Sequence, residues 1–340
     1  MYMKSIRSLI LSSAVLIGTL STADAETLVI SSWAPPTHVL NAEAYPAFIK
    51  LLEEVTNGEV TAELKLGLAP PPAQADLVMD GAADITHIFH GYTPGRYPAA
   101  ELAELPGYQG GAEALSGAYW RAYEKYLKDT GMHQEFKLLA LVAHGPATLF
   151  SVDKVNDLAA IRGMKVRVPG GVGSEVMAEL GATGIQVPAN KVYETLSAKA
   201  ADGVTLNIDA RQGFNLNEVA PYMYEVPGGF YRGSFAILMN RAKWDSLSPE
   251  VQKAIDEKIT GETLSRLWGK IWDESDSRVH DEIPADNLVS ASTTDVEAFK
   301  AISDVVSQSV FAKVEAATGL DAMEVRDFIA EQTVAIESEK

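Results

Sequence analysis

The sequence RGMKVRVPGG at residues 162–171 decides the fold. The short, mostly apolar segment at residues 165–168 predicts a buried strand, and the Pro-Gly-Gly that follows it predicts a sharp turn. A helix predicted at residues 174–181 completes the strand–turn–helix unit of an α/β fold. Ligands bind at the carboxyl ends of strands in open α/β sheets, so Arg167 at the end of this strand is a candidate binding residue.

The same alternation of strands and helices extends in both directions from this unit. Further strands are predicted at residues 27–32, 60–66, 83–88, 137–143, 203–207 and 234–239, and helices at residues 41–56, 74–80, 112–130 and 191–200. The remainder is predicted to be almost wholly helical, with one helix from Ser248 to about residue 275, one at residues 296–316 and one after Asp321. Two α/β units with no flexible linker indicate that the chain crosses between two domains more than once and leaves a cleft.

The N-terminal 25 residues have the pattern of a signal peptide. Lys4 and Arg7 precede an apolar run at residues 9–20, which is too short to span a bilayer, and Ala23-Asp24-Ala25 is a small-x-small cleavage site. We expect cleavage after Ala25, a mature chain that begins at Glu26, and localisation in the periplasm. The alternative interpretation is an N-terminal membrane anchor.

Charge and cysteine content exclude several classes of protein. The 340 residues include 46 acidic and 28 basic side chains, a net charge of −18, which argues against nucleic acid or an anionic membrane as a partner. The chain has no cysteine, which excludes disulfides, thiolate catalysis, cysteine-based zinc sites and a lipoprotein anchor. An anionic ligand must therefore be held by a few local groups inside a shielded cleft.

The common signatures of enzymes are missing from the sequence. There is no G-x-S-x-G elbow, Walker loop or H-E-x-x-H, and Val176 stands where a dinucleotide fingerprint beginning in residues 169–173 needs its third glycine. His87 and His90 are three apart in or beside a predicted strand and point to opposite faces, which disfavours a shared metal ion. We expect no catalysis, no cofactor and no metal. The alternatives are a periplasmic enzyme that uses His87 or His90 as a general base, and a binding protein coupled to a sensor.

Short motifs in a fixed order point to one family. They are WAPP at residues 33–36, GAADI at 81–85, PGRYP at 94–98, ELP at 104–106, RGMKVRVP at 162–169, VYETL at 192–196 and ADGV at 201–204. In the order and spacing of these motifs, from about residue 28 to about residue 259, the chain resembles the DctP-like substrate-binding proteins of tripartite ATP-independent periplasmic (TRAP) transporters. The resemblance implies an α/β fold of two domains, with hinge strands and a long helix joining them, that closes on a ligand in the interdomain cleft.

The resemblance also implies domain bounds, partners and a ligand-binding arginine. The first domain would contain residues 26–145 and about 233–275, and the second about 146–232 and about 276–340. The partners would be a small organic acid and the small and large integral membrane subunits of a TRAP transporter. Arg167 matches the arginine that clamps a carboxylate in this family, and its planar guanidinium fits a carboxylate with two parallel hydrogen bonds.

The sequence departs from the family's sugar-acid binders in ways that predict a less polar pocket. Ala147 stands where those binders carry a second arginine, and Leu206 stands where they carry an asparagine, with Asn207 beside it. The aromatic residues in segments expected to face the cleft are Trp33, Phe89, Tyr92, Phe214 and Tyr231. One arginine among aromatic walls favours a monocarboxylate with an apolar or aromatic body, such as a benzoate-like acid. The alternatives are C4-dicarboxylates, 2-oxo acids and sugar acids. Further candidates for ligand contact are His38, Gln74, His87, His90, His144 and Asn207.

Overall fold

The computed structural model describes residues 25–340, so the predicted signal peptide lies outside the described residues apart from Ala25. The strands in this range are β1 Glu26–Ser32, β2 Val60–Leu66, β3 Ile85–Phe89, β4 Phe136–Ala143, β5 Thr148–Ser151, β6 Lys165–Val168, β7 Thr183–Gln186, β8 Gly203–Leu206, β9 Tyr222–Glu225, β10 Ser234–Asn240 and β11 Leu288–Ser290. The α-helices are α1 Tyr45–Val55, α2 Gln74–Met79, α3 Glu101–Glu104, α4 Ala112–Ala122, α5 Gly171–Glu179, α6 Val192–Ser197, α7 Ala210–Gly213, α8 Leu216–Val219, α9 Arg241–Ser246, α10 Pro249–Lys258, α11 Glu262–Asp281, α12 Thr293–Thr318 and α13 Ala322–Glu337.

The strands form two separate sheets. In the first sheet the order is β2-β1-β3-β10-β4, with β1 parallel to β2 and β3, and β10 antiparallel to β3 and β4. In the second sheet the order is β11-β9-β5-β8-β6-β7, with β6 parallel to β7 and β8, and β5 antiparallel to β8 and β9. Helices pack against these sheets, which confirms the predicted α/β class.

The chain crosses between the two sheets three times. Residues 144–147 connect β4 to β5, residues 226–233 connect β9 to β10, and residues 282–287 connect α11 towards β11. We call the first sheet with the helices packed on it the first unit, and the second sheet with its helices the second unit. The expected domain bounds stay a prediction.

Apolar strands at the centre of the first sheet explain why it forms. β10 and β4 pair along almost their whole length, and all but one residue of each strand is buried. Near-continuous apolar runs of this kind are typical of strands covered on both faces. α4 and α11 both pack on β4. The first sheet is thus a rigid support for the loops at the ends of β3 and β10.

One helix expected from the sequence is in fact two. The helix predicted from Ser248 to about residue 275 ends at Lys258, and α11 begins at Glu262. Gly261 between them has φ +92° and donates its N–H to the carbonyl oxygen of Leu139 in β4 at 2.7 Å. Since glycine adopts such a backbone conformation without steric cost, the chain can turn here and start a new helix.

The helix α11 links the two units. Trp268 is fully buried and packs edge-on against Tyr45 of α1 in the first unit, with ring centroids 5.1 Å apart. Two turns later, Asp276 Oδ1 accepts the backbone N–H of Asp209 in the second unit at 2.7 Å. The position of α11 therefore determines how the two units meet.

Replacing Gly269 of α11 with alanine should destabilise the protein, although alanine is the better helix former by about 1 kcal/mol. The added Cβ would lie 2.5 Å from the carbonyl oxygen of Ala112 and 2.6 Å from Cα of Glu113, and these backbone atoms can yield only if α4 shifts. We expect a net loss of about 1–3 kcal/mol in the free energy of unfolding, measured by urea denaturation. Ser277→Ala, at an exposed position on the same helix, is the control and should change this free energy by less than about 0.5 kcal/mol. An unchanged value for Gly269→Ala would contradict the close helix crossing.

Candidate ligand-binding site

A cavity lies between the two units. Residues from strand ends, loops and α11 line it: Trp33, His38, Leu40, Phe89, Tyr92, His144, Pro169, Leu206, Asn207, Phe214, Tyr231, Phe235 and Trp272. Most of these side chains are apolar or aromatic, with a few polar groups among them. A mostly apolar lining with a few polar groups is typical of a site for a small molecule.

The carboxyl ends of strands from both sheets supply the cavity walls. In the first unit, Trp33 follows β1 directly and Phe89 ends β3. In the second unit, Pro169 follows β6 directly and Leu206 ends β8. The cavity therefore lies where open α/β sheets place their ligands, at the carboxyl ends of their strands.

Aromatic rings form a continuous belt around the cavity. The Phe89 ring centroid lies 4.8 Å from that of Tyr92 and 5.3 Å from that of Phe235, and the Phe235 centroid lies 5.1 Å from that of Trp272. Trp33 packs edge-on against Tyr92 at 5.9 Å. All five aromatic residues that were expected to face the cleft line this cavity.

Two aromatic residues of the lining, Phe235 and Trp272, were missed by the sequence analysis. Phe235 is paired with Phe89 in the first sheet, so a correct pairing of the predicted strands would have revealed it. Trp272 lies on α11 one turn after Trp268, which does not line the cavity. No local pattern distinguishes these two tryptophans.

Arg167 is fully buried beside the aromatic belt. Its Nε donates to the carbonyl oxygen of Val187 at 2.8 Å, and its Nη1 donates to that of Thr205 at 3.4 Å. Its Nη2 has no hydrogen-bond partner among residues 25–340, and no carboxylate of that range forms a salt bridge with it. A buried cation without a counter-ion is costly, so an anion that reached the guanidinium would be strongly stabilised.

Two tyrosines connect the Arg167 guanidinium to the cavity. Tyr92 Oη accepts the backbone N–H of Ala189 at 2.8 Å, and Tyr231 Oη donates to the carbonyl oxygen of Thr205 at 3.3 Å. Burial raises the pKa of both hydroxyls, and the positive charge of Arg167 opposes that rise. Both tyrosines are therefore neutral at neutral pH. Both rings line the cavity, whereas Arg167 itself is not among the lining residues and lies next to these two tyrosines.

A polar end of the cavity is formed by His38 and Asn207, which lie against two buried carboxylates. Asn207 Nδ2 donates to Asp209 Oδ1 and, at 3.3 Å, to Asp276 Oδ1. His38 Nδ1 accepts the backbone N–H of Leu40 at 3.2 Å, so the proton of the neutral ring is on Nε2, 3.8 Å from Asp209 Oδ2. The Oδ2 atoms of Asp209 and Asp276 accept no hydrogen bond from the described residues. This end of the cavity is thus rich in acceptors.

Burial sets the protonation of this polar end. Burial raises the pKa of Asp209 to about 7, and burial together with the charge of Asp209 raises the pKa of Asp276 well above its usual range. Burial lowers the pKa of His38 to about 4, so its ring is neutral at neutral pH. The two carboxyl groups titrate as a pair and share at least one proton at neutral pH. Among residues 25–340, no group of three or more potential ligand side chains is arranged to hold a metal ion.

His144 and His87 lie at different depths from the cavity. His144 lines it, and its Nδ1 lies 2.6 Å from the carbonyl oxygen of Gly145. His87 lies one layer behind the wall, where its ring centroid is 4.9 Å from that of Trp33 and its Nδ1 is 2.7 Å from Tyr45 Oη. His87 therefore supports an aromatic wall residue from behind.

Gln74 and His90 lie outside the lining. Gln74 Nε2 donates to the carbonyl oxygen of Ala69, and Gln74 Oε1 accepts the hydroxyl of Thr86, both at 2.7 Å, which ties the loop before α2 to β3. His90 belongs to a separate chain of buried polar groups. The expected ligand-contact residues that line the cavity are Trp33, His38, Phe89, Tyr92, His144, Asn207, Phe214 and Tyr231. Contact of any of the expected residues with a ligand stays a prediction.

Comparison with known proteins places the chain in a family. The family model of bacterial extracellular solute-binding proteins, family 7 (DctP), matches residues 30–314, which is most of the chain. The chain belongs to the DctP family. The resemblance seen in its sequence motifs is therefore confirmed.

Similar proteins support the same assignment. A TRAP periplasmic solute-binding protein from Bordetella bronchiseptica, whose crystal structure holds (R)- and (S)-mandelate, is 30% identical, with a TM-score of 0.87 and coverage of 91% of this chain and 99% of that chain. A TRAP solute-binding protein from Rhodoferax ferrireducens, in complex with copurified benzoate, is 25% identical, with a TM-score of 0.85 and coverage of 92% and 98%. The outer membrane transporter protein TsaT of Comamonas testosteroni is 27% identical over 320 residues, which is 93% of this chain and 94% of TsaT.

This DctP-family chain is a TRAP solute-binding protein with the two-domain α/β fold of its structural neighbours, and it is not an enzyme. TRAP solute-binding proteins bind small ligands outside the cytoplasm and work with membrane components of their transporters. In residues 25–340, no helix is both long enough and apolar enough to cross a membrane.

Asp209→Asn should reduce the dependence of stability on pH. The folded chain raises the pKa of Asp209 from 3.8 to about 7, so between these values the folded state binds more protons than the unfolded state. By linkage, this carboxyl group makes the protein less stable as the pH rises from about 4 to about 7. We compare how far the free energy of unfolding, measured by urea denaturation, falls from pH 5 to pH 8. This fall should be about 1–3 kcal/mol smaller in the variant than in the unsubstituted chain. The control, Asp153→Asn at an exposed position, should show the same fall as the unsubstituted chain. The same fall in Asp209→Asn would refute the raised pKa of Asp209.

Proposed function

We propose that this TRAP solute-binding protein captures a small aromatic monocarboxylate between its two units and delivers it to the integral membrane subunits of a TRAP transporter. One observation carries the proposal: Arg167 is fully buried next to Tyr92 and Tyr231, two residues of an aromatic cavity, and its Nη2 has no partner among the described residues. The protein works in the periplasm after removal of residues 1–25.

The carboxylate of the ligand binds the Arg167 guanidinium. Two of its nitrogens are already fixed on the carbonyl oxygens of Val187 and Thr205, which holds the fork in one orientation. A carboxylate at Nη2 supplies the missing negative charge, and the hydroxyl of Tyr92 is close by as a second donor. Closure of the units excludes water from the pair, and the attraction grows because the local dielectric constant falls.

The aromatic belt selects the body of the ligand. Flat rings of Phe89, Phe235 and Trp272 meet a flat ligand ring with little loss of side-chain entropy. The Bordetella bronchiseptica protein that holds mandelate and the Rhodoferax ferrireducens protein that holds benzoate are similar to this chain over more than nine-tenths of its length. Their ligands belong to the class proposed here.

The polar end argues against acids with a second carboxylate. Asp209 and Asp276 lie behind Asn207 with an unpartnered oxygen each, and no lysine or arginine among the described lining residues is present to neutralise a second carboxylate. Ala147, where the family's sugar-acid binders carry a second arginine, is fully buried and apolar. A ring hydroxyl suits this end, because it donates a hydrogen bond and brings no charge.

Arg167→Ala should abolish detectable binding of benzoate in isothermal titration calorimetry, because no lysine or arginine is among the described residues that line the cavity, and Arg167 lies next to its Tyr92 and Tyr231. Arg167→Lys keeps the positive charge but loses the fork, so we expect it to weaken binding by about 100-fold rather than abolish it. The exposed Arg162→Ala, five residues earlier, is the matched control and should bind as the unsubstituted chain does. Near-normal affinity in Arg167→Ala would remove Arg167 from the mechanism.

A panel of acids should separate the proposed ligand class from the alternatives. Benzoate, 3-hydroxybenzoate and 4-hydroxybenzoate at saturating concentration should raise the melting temperature by about 5 °C or more, since a ligand that binds only the folded state stabilises it. Succinate, pyruvate and glucuronate at the same concentration should shift it by less than about 1 °C. At least one hydroxybenzoate should exceed benzoate. A larger shift with succinate or glucuronate than with every benzoate would overturn the assignment of the ligand class.

A further inference from the structure

A chain of buried polar groups lies apart from the cavity lining and ends at Glu104. Glu104 Oε1 accepts the hydroxyl of Ser234 at 2.7 Å, and Ser234 Oγ lies 2.9 Å from His90 Nδ1. His90 Nε2 lies 2.9 Å from His133 Nε2. All four residues are less than 5% exposed. None of the four lines the cavity.

The hydrogen bonds of this chain have a single direction when Glu104 is ionised. The Ser234 hydroxyl donates its hydrogen bond to the carboxylate, so Ser234 Oγ accepts a hydrogen bond from the His90 Nδ1–H. His90 Nε2 is then bare and accepts the proton of His133 Nε2. His133 Nδ1 is left without a proton, which agrees with its having no partner among residues 25–340. Three donors in series thus point towards the carboxylate.

When Glu104 is protonated, the same chain can reverse. The carboxyl proton on Oε1 then donates to Ser234, Ser234 donates to His90 Nδ1, and His90 Nε2 donates to His133. No heavy atom needs to move. The chain therefore satisfies Glu104 in both protonation states.

Glu104 also holds the second unit. Its Oε2 accepts the backbone N–H of Val172, in the first turn of α5, at 3.3 Å. The approach is so close that a Cβ added at Gly171 would lie 2.5 Å from Glu104 Oε2, and one added at Gly170 would lie 2.3 Å from the carbonyl oxygen of Gly91 in the first unit. The Glu104–Val172 contact is therefore part of the closed arrangement of the two units.

We propose that closure of the two units takes up a proton on Glu104, so that the closed state is favoured as the pH falls. Opening separates Glu104 from α5 and lets water reach the carboxylate, whereas closure buries the carboxylate, which then accepts hydrogen bonds from the Ser234 hydroxyl at 2.7 Å and the Val172 N–H at 3.3 Å. No basic side chain of the described residues forms a salt bridge with Glu104. The inference deepens the proposed function by adding a proton to ligand capture.

The sign of the effect follows from the burial of the carboxyl group. In the closed structure, burial raises the pKa of Glu104 from 4.5 to about 8, the negative charge of Glu101 adds to the rise, and the hydrogen bonds from Ser234 and Val172 oppose it. Hydration on opening lowers this pKa towards its ordinary value, so the closed state binds more protons between about pH 8 and pH 5. Falling pH then favours closure.

The other titratable groups that face Glu104 do not reverse this sign. Burial lowers the pKa of His90 to about 3 and lowers that of His133 well below its usual value, so both stay neutral above pH 6. Burial raises the pKa of Tyr119 and of Tyr231, so both stay protonated below pH 9. Between pH 6 and pH 9, the group of this set that changes charge in the closed state is Glu104.

The test measures the closed fraction without any ligand, so it is independent of the proposed ligand class. Because the chain has no cysteine, Lys50→Cys on α1 and Glu194→Cys on α6 give one nitroxide label in each unit. Both positions are highly exposed, at 77% and 73% for the side chains. Electron–electron double resonance then gives the distance distribution between the labels at pH 6 and at pH 9.

We expect the ratio of closed to open molecules to rise roughly tenfold from pH 9 to pH 6 with Glu104 present. In Glu104→Gln the amide keeps the series of hydrogen bonds but cannot titrate. The closed-to-open ratio of this variant should therefore increase less than about threefold from pH 9 to pH 6. Glu179→Gln, at an exposed position of α5, should behave as the unsubstituted chain. The Asp209–Asp276 pair is present in all three proteins, so its contribution to the pH dependence of the closed-to-open ratio cancels when they are compared. A ratio that does not change with pH in the labelled chain, or that changes equally in Glu104→Gln, overturns the proposal.

A second variant tests the contact itself. In Gly171→Ala the new methyl group displaces the Glu104 carboxylate. The fraction of molecules that show the closed-state distance between the labels should therefore fall at both pH values. Gly163→Ala is the matched control, because Gly163 also has a positive φ, +82° against +54°, but has nothing within 4 Å of the added Cβ. An equal closed fraction in the two glycine variants would show that Glu104 does not hold the units together. Failure of all benzoates to bind would overturn the ligand class and leave these distances unaffected.

Discussion

The burial of the Arg167 guanidinium without a counter-ion is the constraint on which the cavity depends. Two backbone carbonyl oxygens accept hydrogen bonds from it, but carbonyl dipoles do not neutralise a full positive charge. At about 4 Å, an ion pair is worth about 1 kcal/mol in water and about 4 kcal/mol at the effective dielectric constant near a protein surface. In the proposed mechanism, closing the units around Arg167 is therefore unfavourable until an anion arrives, which makes the ligand a part of the closed structure.

The arrangement of charges around the cavity also depends on α11. Its register on α4 is fixed by the close crossing at Gly269, and this register places Trp272 in the wall and Asp276 against Asp209. A shift of one turn would move the acidic pair away from Asn207 and open the aromatic belt. The cavity thus has a cationic edge set by the second sheet and an acceptor-rich end set by a helix that packs mainly on the first sheet.

Local sequence was sufficient to place Arg167 near the end of a buried strand and to predict five of the aromatic residues that line the cavity, because a strand, its turn and the residues that follow it are contiguous. It was insufficient where the site is built from distant segments. Asn207 and Asp276 are 69 residues apart, and only the fold brings them together. The helix break at Gly261 depends on a hydrogen bond to Leu139, which no local pattern reveals. The short strands β5, β7, β9 and β11 were also missed, since each has only three or four residues and is held by its neighbours rather than by its own propensity.

A chain with a net charge of −18 can capture an anion because surface and buried charges act over different distances. Exposed carboxylates are screened by salt beyond about 8 Å, so they contribute little to the energy inside the closed cavity. Three of the buried charged groups are neutralised in different ways in the proposed mechanism: Arg167 by an incoming carboxylate, and Asp209 and Glu104 by protons, since burial raises their pKa values to about 7 and about 8. In that mechanism closure selects for a ligand with one negative charge. An acid with none would leave Arg167 unpaired, and an acid with two would bring its second charge into a cavity with no lysine or arginine among its described lining residues.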